Sequence, residues 1–177
     1  MLRILQRLLV VSIIIVALII PSMSLAFDGQ RKGLNLGGGI GICPASQISY
    51  YGRGDIGVSL DLSIGYSFGN QNTFLWSVKG AISHFSEAGS LAHEIDGLNW
   101  YHYFKKDTPS IYSIMGFGIS IFGNSCWTSA HGAWSIVGLG YEFTRHLAIN
   151  GFFLSAGPNH GDIHFESANI TMSAMIY

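Results

Sequence analysis

Residues 56–68 read IGVSLDLSIGYSF. Ile56, Val58, Leu60, Leu62, Ile64, Tyr66 and Phe68 are large and apolar, and Gly57, Ser59, Asp61, Ser63, Gly65 and Ser67 between them are small or polar. A period of two held over this length is a β-strand with one apolar and one polar face. Soluble strands usually run about 5–6 residues, whereas a tilted strand crossing a bilayer needs about 9–11. This one is long enough to cross.

Working outward, the same alternation predicts seven more strands, at residues 33–42, 73–84, 95–104, 111–122, 133–143, 147–156 and 165–177. The fourth, 95–104, has the weakest pattern, because aromatics crowd both faces at Trp100, Tyr101, Tyr103 and Phe104. Connections of residues 43–54, 85–94, 123–132 and 157–164 alternate with short ones at 69–72, 105–109 and 144–146. An even number of antiparallel strands with short turns on one side and longer loops on the other is the pattern of a closed barrel in an outer membrane. The fold expected is all-β, an eight-stranded antiparallel transmembrane up-and-down barrel.

Composition divides the chain in two. Residues 1–26 hold none of the 23 glycines and no Phe, Trp or Tyr. They carry Arg3 and Arg7, an apolar run from Leu8 to Ile20, Pro21, and the small-residue pattern Ser24-Leu25-Ala26. This predicts a secretory signal peptide over 1–26, cleaved after Ala26, and a barrel domain over 27–177. An uncleaved anchor is the alternative, but a spanning helix needs about 20 apolar residues. Nine Lys+Arg against ten Asp+Glu give a formal charge of -1, with no basic excess to bind nucleic acid.

Aromatics are expected at the membrane boundaries, because rings with an apolar body and a polar edge favour the headgroup level. Tyr66, Phe68, Phe74, Trp76, Tyr103, Phe104, Tyr112, Tyr141, Phe143 and Tyr177 would form a periplasmic girdle. Tyr50, Tyr51, Phe85, Phe122 and Trp134 would form an outer one. The opposite faces place Asn35, Asp61, Lys79, Glu142 and Asn150 inside, with Glu166 a further candidate. Lys79 is expected to pair with Asp61, since an unpaired charge in a narrow lumen is costly. Small inward residues relieve crowding in a barrel whose interior only just holds its side chains. That predicts a filled interior and not an open porin-like channel.

The segment GLGYEFTRHLAINGFF, residues 138–153, resembles the strand-turn-strand unit of the small outer-membrane β-barrel domain family. The terminal Tyr177 is similar to the carboxy-terminal aromatic read by the outer-membrane insertion machinery. The last strand departs from the pattern, with Asn169, Thr171 and Ser173 where apolar residues are usual. The resemblance implies a bacterial outer-membrane location, a monomer, contact with outer-membrane lipids and lipopolysaccharide, and no cofactor.

One motif points elsewhere. His84-Phe85-Ser86-Glu87 is similar to the His-x-Ser-Asn motif of the lipid A 3-O-deacylases, which implies Ser86 as nucleophile, His84 as base and a later acid, here Glu94, to orient it. A serine needs such a base to become nucleophilic. Glu87 stands in place of the Asn, and the motif comes early in the chain. Solvated histidines are expected at His84, His93, His131, His160 and His164, without metal: His160-x-x-x-His164 has a helical spacing, and Gly161 opposes a helix. Cys43 and Cys126 fall in outer connections where an oxidising compartment permits a disulfide. The reading is a non-catalytic barrel acting through its outer loops or supporting the envelope; the rivals are the deacylase and a soluble periplasmic barrel binding an apolar ligand.

Overall fold

The computed structural model describes residues 31–49, 52–87, 89–123, 130–158 and 164–177. The signal peptide expected at 1–26, and Cys126, His160, Tyr50 and Tyr51, lie outside the described residues, as do the side chains of Phe122 and His131. Nine strands follow in chain order: β1 Gly33–Ile48, β2 Gly52–Gly54, β3 Gly57–Ser67, β4 Asn72–Phe85, β5 Gly89–Tyr103, β6 Ser110–Gly123, β7 Ala130–Thr144, β8 Leu147–Pro158 and β9 Phe165–Ile176.

All neighbours are antiparallel, and β1 pairs with β9 from Leu36↔Ile176 to Ile48↔Phe165, so the sheet closes on itself. The three residues of β2 continue β3 past a break at residues 55–56 and pair with the top of β1. Nine elements therefore make eight staves. Closure matters because the hydrocarbon core of a bilayer supplies no water to satisfy a free strand edge.

The apolar face of β3 and of most other strands points outward, whereas the outward parity of β5 carries Glu94 and Asp96 beside Leu98 and Trp100. Leu62, Phe117, Ile119 and Leu139 stand between 59% and 67% exposed, while Ser59, Ser63, Ser67 and Asp61 on the alternate positions of β3 are buried. A soluble sandwich would bury the first set.

Two corrections concern the connections. The outer segments expected at 43–54 and 85–94 are mostly strand: β1 runs on to Ile48, and β5 begins at Gly89, pairing Phe85 with Gly89 across a connection of only three residues. Gly89 has φ 71°, a conformation that an L side chain rarely adopts, and this permits so tight a turn. Strands of 14–16 residues at β1, β4, β5 and β6 exceed what a crossing needs, so the barrel wall extends beyond the apolar belt.

A third correction concerns aromatics. Tyr66, Phe68, Phe74, Trp76, Phe104, Tyr141 and Phe143 face outward at the end with the short turns, but Tyr103, Tyr112 and Tyr177 are buried inside, as are Phe85 and Trp134 at the other end. The interior takes these rings because glycines face them. A Cβ on Gly140 would lie 2.1 Å from the Tyr112 ring, and one on Gly118 would lie 2.6 Å from the Trp134 indole nitrogen. Aromatic crowding at either end of a strand did not by itself tell lumen from lipid.

The orientation makes a test. Leu62→Arg, within the outward belt, lowers the unfolding free energy in lipid vesicles by about 2–4 kcal/mol. Urea titration followed by tryptophan fluorescence reads it; no loss would mean that this face does not meet lipid.

Candidate functional site

Inward parity along β3, β4, β7 and β8 carries a column of polar side chains into the lumen. Asp61 and Lys79 are cross-strand partners. Lys79 Nζ donates to Asp61 Oδ2, and both groups are almost fully buried. Lys79 also donates to the Tyr101 hydroxyl at 3.3 Å and stands 5.2 Å from the centre of the Phe152 ring. Tyr101 stacks on Tyr112 at 5.3 Å, and the Tyr112 hydroxyl donates to Asn150 Oδ1. Asn150 Nδ2 continues to Ser173 Oγ at 2.8 Å. Asn35 Nδ2 donates to Ser67 Oγ at 2.6 Å, which contacts Thr73 Oγ1 at 2.5 Å. Asn169, Thr171 and Ser173 of β9 thus face the lumen together with Tyr177. Glu166 does not: it is exposed on the outer face, a correction to its expected place inside.

The end with the short turns holds a residue that the sequence pattern does not single out. Arg31 precedes β1 and is buried, its guanidinium forming an ion pair with Glu142. Its Nη1 donates to the carbonyls of Asn70, Lys105 and Lys106, in two different turns. The guanidinium lies 4.1 Å from the centre of the Tyr103 ring. Glu142 Oε1 accepts from the Tyr177 hydroxyl at 2.9 Å, and the Tyr103 and Tyr177 hydroxyls lie 3.2 Å apart. Burial works against the Arg31 charge, but the hydrogen bond and charge of Glu142 outweigh it and raise the pKa. The sequence signal was Glu142 itself. A carboxylate inside a narrow barrel calls for a cation, and Arg31 stands just ahead of the first strand.

A cavity of about 10 Å³ lies between Ser59, Lys79, His93, Ser167 and Asn169, about the room of one water. His93, expected at an outer loop, is instead buried in β5 with its ring 4.1 Å from that of Phe165.

The catalytic candidates are not brought together. His84, Ser86 and Glu94 are all exposed. His84 lies opposite Ser90 in the β4–β5 ladder, and its Nδ1 is 3.4 Å from Ser90 Oγ, so the serine it meets is not Ser86. Glu94 lies opposite Gly80, four residues along β4 from His84. At about 3.3 Å per residue that is about 13 Å, beyond hydrogen-bond reach. No acid orients His84 among the described residues. Nor does any group of three metal-ligating side chains come together among them. Cys43 is buried, its thiol contacting the Ala45 carbonyl at 3.4 Å.

The buried pair predicts a mutant series. Lys79→Met strands the Asp61 carboxylate and destabilises the barrel by about 3–5 kcal/mol, whereas Lys79→Met with Asp61→Leu recovers most of the loss. Urea unfolding in vesicles measures both, and equal losses in the single and double variants would contradict the pairing.

No family model matches the chain, and no curated protein matches it. Solved structures do. The attachment invasion locus protein Ail of Yersinia pestis aligns with a TM-score of 0.56 at 15% identity, over 81% of this chain and 99% of that one. Neisserial surface protein A gives 0.54 at 14% identity, over 81% and 95%. The outer membrane enzyme PagL gives 0.54 at 11% identity, over 78% and 97%. With its closed eight-stave sheet and outward apolar belt, the chain has the fold of the small eight-stranded outer-membrane β-barrels.

Proposed function

We propose that this chain is a non-catalytic outer-membrane barrel whose filled lumen serves stability and whose outer rim does the work, by contact with surface molecules and with the lipids of the outer leaflet. The observation that carries the reading is the column of paired charges and rings from Arg31–Glu142 through Lys79–Asp61. An eight-stranded barrel is only just wide enough for side chains, and here those side chains bond to one another. Carboxylates and cations used in this way support the wall and are not left poised for a substrate. The strands that run past the apolar belt carry the connections clear of the bilayer, which is where a partner meets them. Insertion through the carboxy-terminal strand, ending at Tyr177, and a monomeric state belong to the same reading.

A hydrolase acting on lipid A is the second reading, favoured by the His84–Ser90 contact and by the alignment with an outer-membrane enzyme. Chemistry is the weaker case, because a triad depends on its acid to orient the base. Expression in a host with an outer membrane, followed by mass spectrometry of lipid A, separates the two. The masses are expected to stay unchanged. Loss of one hydroxyacyl chain, abolished by Ser86→Ala or Ser90→Ala, would establish the hydrolase instead.

A further inference from the structure

The pairing of β1 with β9 slips between Ile42 and Ala45, where Pro44 has no N–H to offer the ladder. Beside this bulge, on the barrel wall at the end opposite the short turns, lies a groove of about 400 Å³. Its lining includes Pro44, Ser46, Gln47, Arg53, Phe153 and Glu166. Gln47 pairs with Arg53 on one side and with Glu166 on the other, so three polar side chains form one row across the outer face. Adjacent strands lie about 4.8 Å apart, which sets Arg53 and Glu166 about 10 Å apart at their backbones. Neither makes an ion pair among the described residues. Toward the membrane the lining turns apolar at Phe153, which is 44% exposed and pairs with Ala168.

We propose that this groove seats the phosphorylated sugar headgroup of an outer-leaflet glycolipid. The arrangement fits such a molecule from top to bottom. Arg53 presents a planar fork of donors suited to a phosphate. Glu166 and Gln47 accept from hydroxyls held on a rigid sugar ring, which spans the row as the short flexible glycerol of a phosphodiester headgroup does not. The Glu166 carboxylate disfavours a second phosphate at its own end, so a single phosphate lies at Arg53 with the ring spanning the row. Phe153 then meets the first carbons of the acyl chains, which remain in the bilayer. A volume of about 400 Å³ holds a headgroup but not a whole lipid.

The proposal rests on the outer rim as the working surface, and the two can fail separately. The full chain, folded in detergent micelles, is examined by native mass spectrometry with diphosphorylated lipid A, its dephosphorylated form, and phosphatidylglycerol. Retained heat-modifiable migration on gels confirms that each variant is folded. Lipid A adducts are expected on the parent chain. Arg53→Gln should lower their occupancy about tenfold, Arg53→Lys should lower it less, and Glu166→Gln should weaken binding without removing it. Dephosphorylated lipid A should bind the parent as weakly as lipid A binds Arg53→Gln. If Arg53→Gln keeps parental occupancy, or phosphatidylglycerol competes equally, this site is wrong while a lipid-contacting rim stands. No adduct with any lipid would overturn both.

Discussion

Everything in this molecule follows from the pairing of β1 with β9. A strand edge left open in hydrocarbon would expose a row of amide and carbonyl groups with nothing to bond, at several kcal/mol each. The ladder from Leu36↔Ile176 to Ile48↔Phe165 removes that edge and fixes the number of staves at eight. Eight staves in turn fix the bore. What the lumen holds is then a packing problem with a narrow answer.

That answer combines glycines, aromatic rings and matched charges. Gly140 makes room for Tyr112, and Gly97 and Gly118 make room for Trp134, so large rings fit where two facing side chains of ordinary size would collide. The charges come in pairs because a lone one has no solvent to rely on. Lys79 meets Asp61 in the middle, and Arg31 meets Glu142 at the periplasmic end while also bonding carbonyls of two turns. One guanidinium therefore ties a segment ahead of the barrel to β7 and two turns, and Glu142 links it onward to the last residue through Tyr177.

How much of this could be read from the residues varied with the physics involved. Alternation over residues 56–68 reports a strand with lipid on one side because the period of two is local and the apolar set is unmixed. The Asp61–Lys79 pairing was legible for the same reason, since parity places both inside on neighbouring strands. Aromatic placement was not. Tyr112 and Trp134 follow the inward parity of their strands, and only the glycines on neighbouring staves show that the lumen can take them. Glu166 was a candidate for the interior in a last strand whose alternation departs from the usual pattern, and it belongs to the exposed parity of β9. The site at Arg31 depends on a contact 111 residues away in the chain, which periodicity cannot see. The His84-Phe85-Ser86 motif is a match of local spacing alone. Its spacing suggested a catalytic pair, but a three-residue connection folds Ser90 against His84 and leaves Glu94 far along the strand.

We propose that paired side chains fill the bore, so that the barrel is a wall and not a passage. Conductance of the purified chain in a planar lipid bilayer tests it most directly. The account predicts no steady ohmic current from the parent chain, with a current appearing only when both the Arg31–Glu142 and the Lys79–Asp61 pairs are replaced by alanine. A stable current through the unaltered barrel, indifferent to those changes, would contradict it.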